Sequence, residues 1–537
     1  MRRRNFIFGG VSLVAIAAAS TAGWRIYSHE NYDPDWTDSW DAGSVSLIIP
    51  TANHERFRIK VVFKNALENT PNLQIDDQQT AGEQTDSLGQ HFTFDAKELE
   101  ADTEYQLQLF AASGKPLTGT WPLKTLPAPN AEPATGRFLF LTCMGGVDFA
   151  RHPFELNPLC LHSTGRRRLL RRALSFKPDA TIAIGDHVYW DTRGRSGMAM
   201  SHSPISRLTV APFDTELPVL GSENEDRLKR VVQDQIPDVY GVALRSTPSF
   251  FVQDDHDYYE NDEATEDLQT FPASPFMLEA AAATQKLYYP EFVNWQGLNR
   301  LHEPDGNLSM HHGTLRFGKL VEMLIYDCRR DMDVGEQGYF MHPQVEDWIV
   351  GRTANSDADH IFNVPSTPVL WTAGKWGEWY PDVANKNADG LTVTEDKYLW
   401  TAGWNAQHDR ILSTISQRKS GVPLVISGDL HATGLGQITS SNDHSFAANP
   451  IISALVGTPG TGKHGWPSAF RGQGPQISKT LAAENFYEPV EENGFSIVDV
   501  TPDSVTISQF RWKPEDGAEA IDSLEPFFVR TFSTSQL

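Results

Sequence analysis

Apolar positions along the chain follow two rhythms, and the change between them divides it. Segments 44–49, 57–63, 91–94, 105–110 and 121–125 alternate apolar with polar residues and are separated by Asn, Asp and Gly. Period two with such breaks predicts the half-buried strands of a small antiparallel β-sandwich. From residue 138 the pattern becomes short continuous apolar runs, 138–141, 180–184, 250–252, 320–325 and 422–426, set between stretches of helical character. Strands covered on both faces read this way, so an α/β layered unit is expected. Pro127, Pro129 and Pro133 mark the linker between the two patterns. The organisation is therefore an N-terminal address over 1–30, a sandwich over 40–127 and a larger catalytic-type unit over 135–520.

Within the sandwich, Leu99 and Tyr105 stand in a Leu-x-x-x-Thr-x-Tyr spacing that resembles the tyrosine corner of fibronectin-III-like modules. In the first thirty residues, Arg2, Arg3 and Arg4 precede Asn5-Phe6-Ile7, an apolar run through Ala19 and small residues near Ala22. The Arg3-Arg4-x-Phe6-Ile7 order resembles a twin-arginine signal, read by the twin-arginine export machinery. It implies a periplasmic or extracellular protein. An uncleaved N-terminal anchor is the rival reading, and it would be the chain's one membrane contact.

Charge narrows the partners. Asp and Glu outnumber Lys and Arg 69 to 45, a formal charge of -24, which argues against a surface for duplex nucleic acid. Cys143, Cys160 and Cys328 are an odd set for an exported chain, so at least one thiol is left over; a Cys160–Cys328 bridge is a possibility the sequence leaves open. Arg166, Arg167, Arg168, Arg171 and Arg172 fall at helical spacing and read as a solvated face rather than a polyanion patch.

The residues just past the apolar runs are unusually polar: Thr142-Cys143, Gly185-Asp186-His187-Val188-Tyr189, Asp254-Asp255-His256-Asp257 with Asn261 beyond, Asp327-Cys328-Arg329-Arg330, and Gly428-Asp429-Leu430-His431. Strand ends are where α/β folds place ligand sites. A phosphate ester resists water until cations neutralise its oxygens and turn a bound water into hydroxide, so anionic ligands from several strands are the chemistry to look for. Asp186 and Asp429 are hard oxygen donors, with Asn261 and His431 as neutral ones. Cys143 and Tyr189 suit a transition metal such as ferric iron better than magnesium or calcium. His256, beside Asp255, is the candidate proton donor or phosphoryl contact, with a neighbouring carboxylate fixing its tautomer. Arg329 offers a planar fork to phosphate, or pairs structurally with Asp327 and Asp331. His187 is a candidate outer partner to the metal ligands. Trp371, Trp376, Trp379 and Tyr380 would wall a pocket or pack under a loop. The glycine-rich stretch from Gly457 to Gly462 lacks the ending of a nucleotide-binding P-loop.

Taken in order, Cys143, Gly185-Asp186-x-x-Tyr189, Asp254-Asp255-His256-Asp257-x-x-x-Asn261, Asp327-x-Arg329 and Gly428-Asp429-x-His431 resemble the alkaline phosphatase D (PhoD-like) branch of metallophosphoesterases over roughly 137–512. The resemblance implies a four-layer αββα catalytic fold after a small β domain. It implies Cys143, Asp186, Tyr189, Asn261, Asp429 and His431 as metal ligands, iron and calcium as the ions, and a small-molecule or cell-envelope phosphate mono- or diester as substrate. Gln253, where the family often has Trp, and the Cys328-Arg329-Arg330-Asp331 run depart from its pattern, which bears on substrate preference. A non-catalytic cell-envelope binding protein with a metal-stabilised domain, and a metallohydrolase of non-phosphate substrates, are the competing readings.

Overall fold

The computed structural model describes residues 39–146, 161, 163–190, 213–258, 273–293, 308–333, 338–372, 383–384, 391–392, 402–442, 444–446, 449–460, 475–478 and 480–535. The N-terminal leader, Cys160, Asn261, Trp376, Trp379 and Tyr380 lie outside them. Strands β1 (Val45–Ala52), β2 (Phe57–Phe63), β3 (Asn72–Ile75), β4 (Gln78–Ala81), β5 (Glu83–Gln84), β6 (His91–Ala96), β7 (Glu104–Phe110) and β8 (Trp121–Lys124) form two antiparallel sheets, ordered β1-β2-β6-β5 and β4-β3-β7-β8. Alternate positions turn Phe57, Ile59, Phe94, Leu107 and Trp121 into a shared core. Tyr105 Oη accepts the Glu100 N–H at 2.7 Å, the closure that the Leu-to-Tyr spacing anticipates.

Two larger sheets face each other behind this sandwich. The first contains β9 (Gly136–Thr142), β10 (Ala180–Ile184) and β11 (Ser249–Val252), with β10 parallel to both neighbours. The second begins with β12 (His312–Phe317), β13 (Val321–Tyr326), β14 (His360–Pro365) and β15 (Leu424–Ser427), and continues through β16 (Thr433–Ser441), β17 (Ile451–Leu455) and β18 (Leu481–Val490). The chain then returns to the first sheet as β19 (Asn493–Thr501), β20 (Ser504–Trp512) and β21 (Phe528–Ser533), giving the order β11-β10-β9-β19-β20-β21. That sheet thus continues past residue 520.

Alternation along each strand fills two interfaces at once. Phe138, Phe140, Ile182 and Ile184 meet Met323, Ile325, Val364 and Ile426 between the sheets. Leu139, Leu141 and Ala183 face outward to α1 (Ser163–Leu174), α2 (Glu223–Val232) and α3 (Pro275–Tyr288). On the far side Leu324, Ile361 and Val425 pack against α4 (Pro343–Asn355) and α5 (Ala402–Gln417). The result is the expected αββα stack. No described helix is long and apolar enough to cross a membrane.

The sandwich meets the stack through paired charges. Glu291 accepts from Arg58 Nε at 2.6 Å and from Lys60 Nζ at 3.1 Å, and Lys60 also donates to the Lys286 carbonyl at 2.9 Å. Burial brings Lys60 down to about 8 despite that partner. Burial would raise the Glu291 carboxyl, but Lys60 and Arg58 outweigh it and hold it at about 2. Lys229 of α2 reaches Asp86 at 2.6 Å and Glu225 at 2.7 Å.

Helix α1 corrects the sequence expectation. Arg166 is fully buried, with Nη1 donating to the Met144 and Gly145 carbonyls at 3.0 and 2.9 Å. Arg168 and Arg171 pair with Asp522, and Arg172 donates to the Leu524 carbonyl. The basic run is a brace between the strand-end loop and the C-terminal segment, because carbonyls turned inward there need donors. Cys328 carries a free, buried thiol.

Candidate functional site

Among the described residues, each candidate lies in the few residues that follow a strand, and several of those turns are sharp. Nine described non-glycine residues have positive φ, and four are Cys143 (51°), Asp186 (57°), Asp429 (74°) and His431 (52°). Left-handed backbone is costly for side chains with a Cβ and persists where surroundings enforce it, typically at functional sites. Here it re-aims side chains that would otherwise continue the strand direction. Gly185 shares the turn at φ 63°, and a Cβ there would lie 2.4 Å from the Asp254 Cβ, so only glycine lets the β10 and β11 loops approach.

The turns bring the candidates together across both sheets. Ligand-type atoms of Cys143, Asp186 and His431 lie within 4.8 Å of one another, as do those of Asp186, Asp255 and His256, and those of Asp254, Asp255 and Asp429. Asp186 is common to the first two groups and Asp255 to the last two. Tyr189 Oη donates to Asp186 Oδ2 at 2.9 Å and lies 2.9 Å from His431 Nε2. Cys143 Sγ is 3.6 Å from the Asp429 carbonyl. His256 is buried with its ring tilted against Tyr189 at a centroid distance of 4.1 Å, and beside it lies His431, whose side chain is 17% exposed while Asp186 is at 0%. Solvent therefore reaches the group from the histidine side.

Comparison with known proteins bears directly on this arrangement. A family model described as PhoD-like phosphatase matches residues 160–509, more than half the chain. The chain belongs to the PhoD-like phosphatase family. A solved structure of PhoD aligns over 93% of this chain and 91% of its own at TM-score 0.57 and 15% identity. The purple acid phosphatase PPD1 from yellow lupin (Lupinus luteus) seeds aligns over 90% and 74% at TM-score 0.52 and 10% identity. At these identities the likeness is one of fold. No curated protein sequence matches the chain.

As a PhoD-like phosphatase the chain is a metal-dependent phosphoester hydrolase, and its buried groups fit cations. Asp186 Oδ1 is buried without a hydrogen-bond partner, which is costly for a carboxylate unless a cation is adjacent. Burial would raise the Asp186 carboxyl, but His256 and His431 hold it below the ordinary range. Burial, and then the Asp186 charge, push the Cys143 thiol well up; a cation at the sulfur would reverse that.

The PhoD-like motifs also hold residues that shape the site without facing it. Asp257 accepts the backbone N–H groups of Asp186, His187, Val188 and Asp254 at 2.9 to 3.0 Å, so it ties the β10 and β11 loops together. Gln235 Oε1 receives the N–H of Gly146 and of Tyr189, both at 2.8 Å. Thr142 Oγ1 donates to the Ile184 carbonyl and accepts from Asp429 N, linking three strands. The sequence carries no signal for Gln235 beyond its burial in α/β surroundings. His187 points away, Nε2 2.9 Å from the Val252 carbonyl, and burial brings it down to about 4.

The Arg329 side chain pairs with Asp254 and Asp429, carboxylates outside the Asp327 and Asp331 partners named from the sequence. Its Nε donates to Asp254 Oδ1 at 3.0 Å and its Nη2 lies 3.5 Å from Asp429 Oδ2. Asp327 instead accepts the Arg329 and Arg330 backbone N–H groups at 2.6 and 3.0 Å. Trp371 is buried and donates to Asn485. Thr458 and Gly460 pack on the β9 loop, where a Cβ at Gly460 would lie 2.3 Å from the Cys143 carbonyl oxygen. The start of the glycine-rich stretch is thus a close backbone contact under Cys143.

Proposed function

We propose that this protein is an exported phosphatase that hydrolyses phosphate mono- or diesters of small molecules or of the cell envelope, with iron and calcium as its ions. The observation that carries the reading is the convergence of Cys143, Asp186, Tyr189, Asp429 and His431, which come from three separate strand ends. Together with Asn261 these are the proposed ligands, and Asp254 and Asp255 join them by position. Bound cations supply charge neutralisation at the phosphoryl oxygens and activation of water.

The chain's own groups do the rest. Arg329, held between Asp254 and Asp429, presents N–H donors to the phosphoryl oxygens. His256 holds a proton beside the candidate ligands and gives it to the departing oxygen, with Asp255 stabilising its protonated form. Tyr189 keeps the His256 ring in place by packing against it. Export is supported by the Arg3-Arg4 leader, and a route that carries folded proteins suits a metal site assembled before transport.

Hydrolysis of nitrophenyl phosphate and bis-nitrophenyl phosphate tests this reading, measured before chelation, after it, and after return of ferric iron and calcium. Activity should vanish with chelation and return when both ions are restored. Ferric iron on a thiolate or phenolate should colour the protein. Full activity in chelated, metal-free protein would overturn the proposal.

A further inference from the structure

The loops that follow β11 and β13 belong to different sheets, and a buried strut joins them behind the site. Tyr258 lies in the same short turn, Asp255–Tyr258, as His256, and its Oη donates to Asp327 Oδ2. The other oxygen of Asp327 is occupied by the N–H groups of Arg329 and Arg330. Tyr258 Oη also lies 3.1 Å from Gln253 Oε1. The orientation of Gln253 is set by the Ala281 carbonyl, which can only accept: Nε2 faces it at 2.9 Å and reaches Tyr289 Oη as well. Tyr258, Gln253 and Tyr289 are at most 2% exposed, and Asp327 is 5% exposed.

We propose that Asp327 is a positioning residue for Arg329, braced by the Tyr258 hydroxyl, so that the guanidinium meets the phosphoryl group in one fixed pose. Asp327 Oδ1 serves its own loop and Oδ2 takes the Tyr258 hydroxyl from the loop of the other sheet. It acts through the Arg329 backbone, fixing the turn from which the side chain extends to Asp254 and Asp429. Buried side-chain hydrogen bonds hold such a turn rigid, and a planar fork loses binding quickly when its origin shifts. The inference rests on the reading of Arg329 as a phosphoryl contact.

The test compares Tyr258→Phe in the native background and with Arg329→Ala, reading kcat, KM for nitrophenyl phosphate, inhibition by inorganic phosphate, and bound metal. Removing the hydroxyl leaves a buried acceptor unmet, so KM and the phosphate inhibition constant should both rise about tenfold, with kcat nearly unchanged. With Arg329→Ala the same change should cost less than about twofold, because the group it positions is gone. Asp327→Asn, which still accepts the two backbone N–H groups, should be milder than Asp327→Ala. Should Arg329→Ala fold poorly, Arg329→Gln replaces it. An equal cost of Tyr258→Phe in both backgrounds, or loss of metal in step with activity, overturns the proposal. If Arg329→Ala itself leaves phosphate inhibition unchanged, the assignment of Arg329 fails and takes the positioning role with it.

Discussion

Where the sandwich and its partner helices meet, Asp86, Asp95, Glu225 and Glu291 face Arg56, Arg58, Lys60 and Lys229. At the strand ends, Asp186, Asp254, Asp255 and Asp429 face one guanidinium, Arg329, and two imidazoles, His256 and His431, among the described residues. The first region balances carboxylate with cation and needs nothing from outside. The second is short of positive charge although it is more deeply buried. Removing carboxylates from water is expensive without compensation, so the difference separates a structural charge network from a site built to receive metal ions.

The largest expected effect breaks the second region. Asp186→Asn removes the carboxylate common to two ligand groups, and hydrolysis should fall by about a thousandfold or more while the fold survives. Turnover measured beside circular dichroism checks this; a folded variant of normal activity would make the strand-end cluster structural too.

Next in size is the balanced region. Glu291→Gln leaves Lys60 and Arg58 without their shared partner and should destabilise the protein by about 3 kcal/mol in denaturant unfolding, with activity per folded molecule unchanged. The same residue gives the sign of a pH effect. Its folded carboxyl is held at about 2, below the unfolded value, so its contribution is full above the ordinary carboxylate range and is lost as pH falls from there towards 2. Acid unfolding of Glu291→Gln should therefore be shallower over that interval. The smallest effect touches neither set of charges: Tyr105→Phe removes the bond to Glu100 N–H and should cost about 1 kcal/mol, with no change in turnover.

Legibility in the sequence followed burial pattern. Strands β1, β2, β6, β7 and β8 were visible because one face is apolar, whereas β4 and β5 carry mostly polar, exposed residues such as Gln78, Gln79, Glu83 and Gln84 and β3 is only four residues long, with Leu73 and Ile75 its apolar positions. The parallel strands ending in Thr142, Ile184 and Val252 were legible as unbroken apolar runs. Strands β19 to β21 were not anticipated: β19 takes its place beside β9 by pairing across more than three hundred residues, and β20 and β21 follow it as antiparallel neighbours. Cys143, Asp186, Asp429 and His431 were readable by residue type and position after a strand. Roles within the acidic run were not: Asp254, Asp255 and Asp257 look alike in sequence, and only the tight turn sends Asp257 into four backbone N–H groups and Asp255 toward Asp429. Arg166 misled for a related reason, because helical spacing says which residues share a face but not which face meets inward-turned carbonyls.

Elemental analysis of the protein purified without chelator, beside folded Asp186→Asn, tests most directly whether the strand-end carboxylates exist to hold cations. The native protein should carry roughly two or three multivalent cations per chain, and the variant markedly fewer. A native protein free of metal yet fully active would contradict the account.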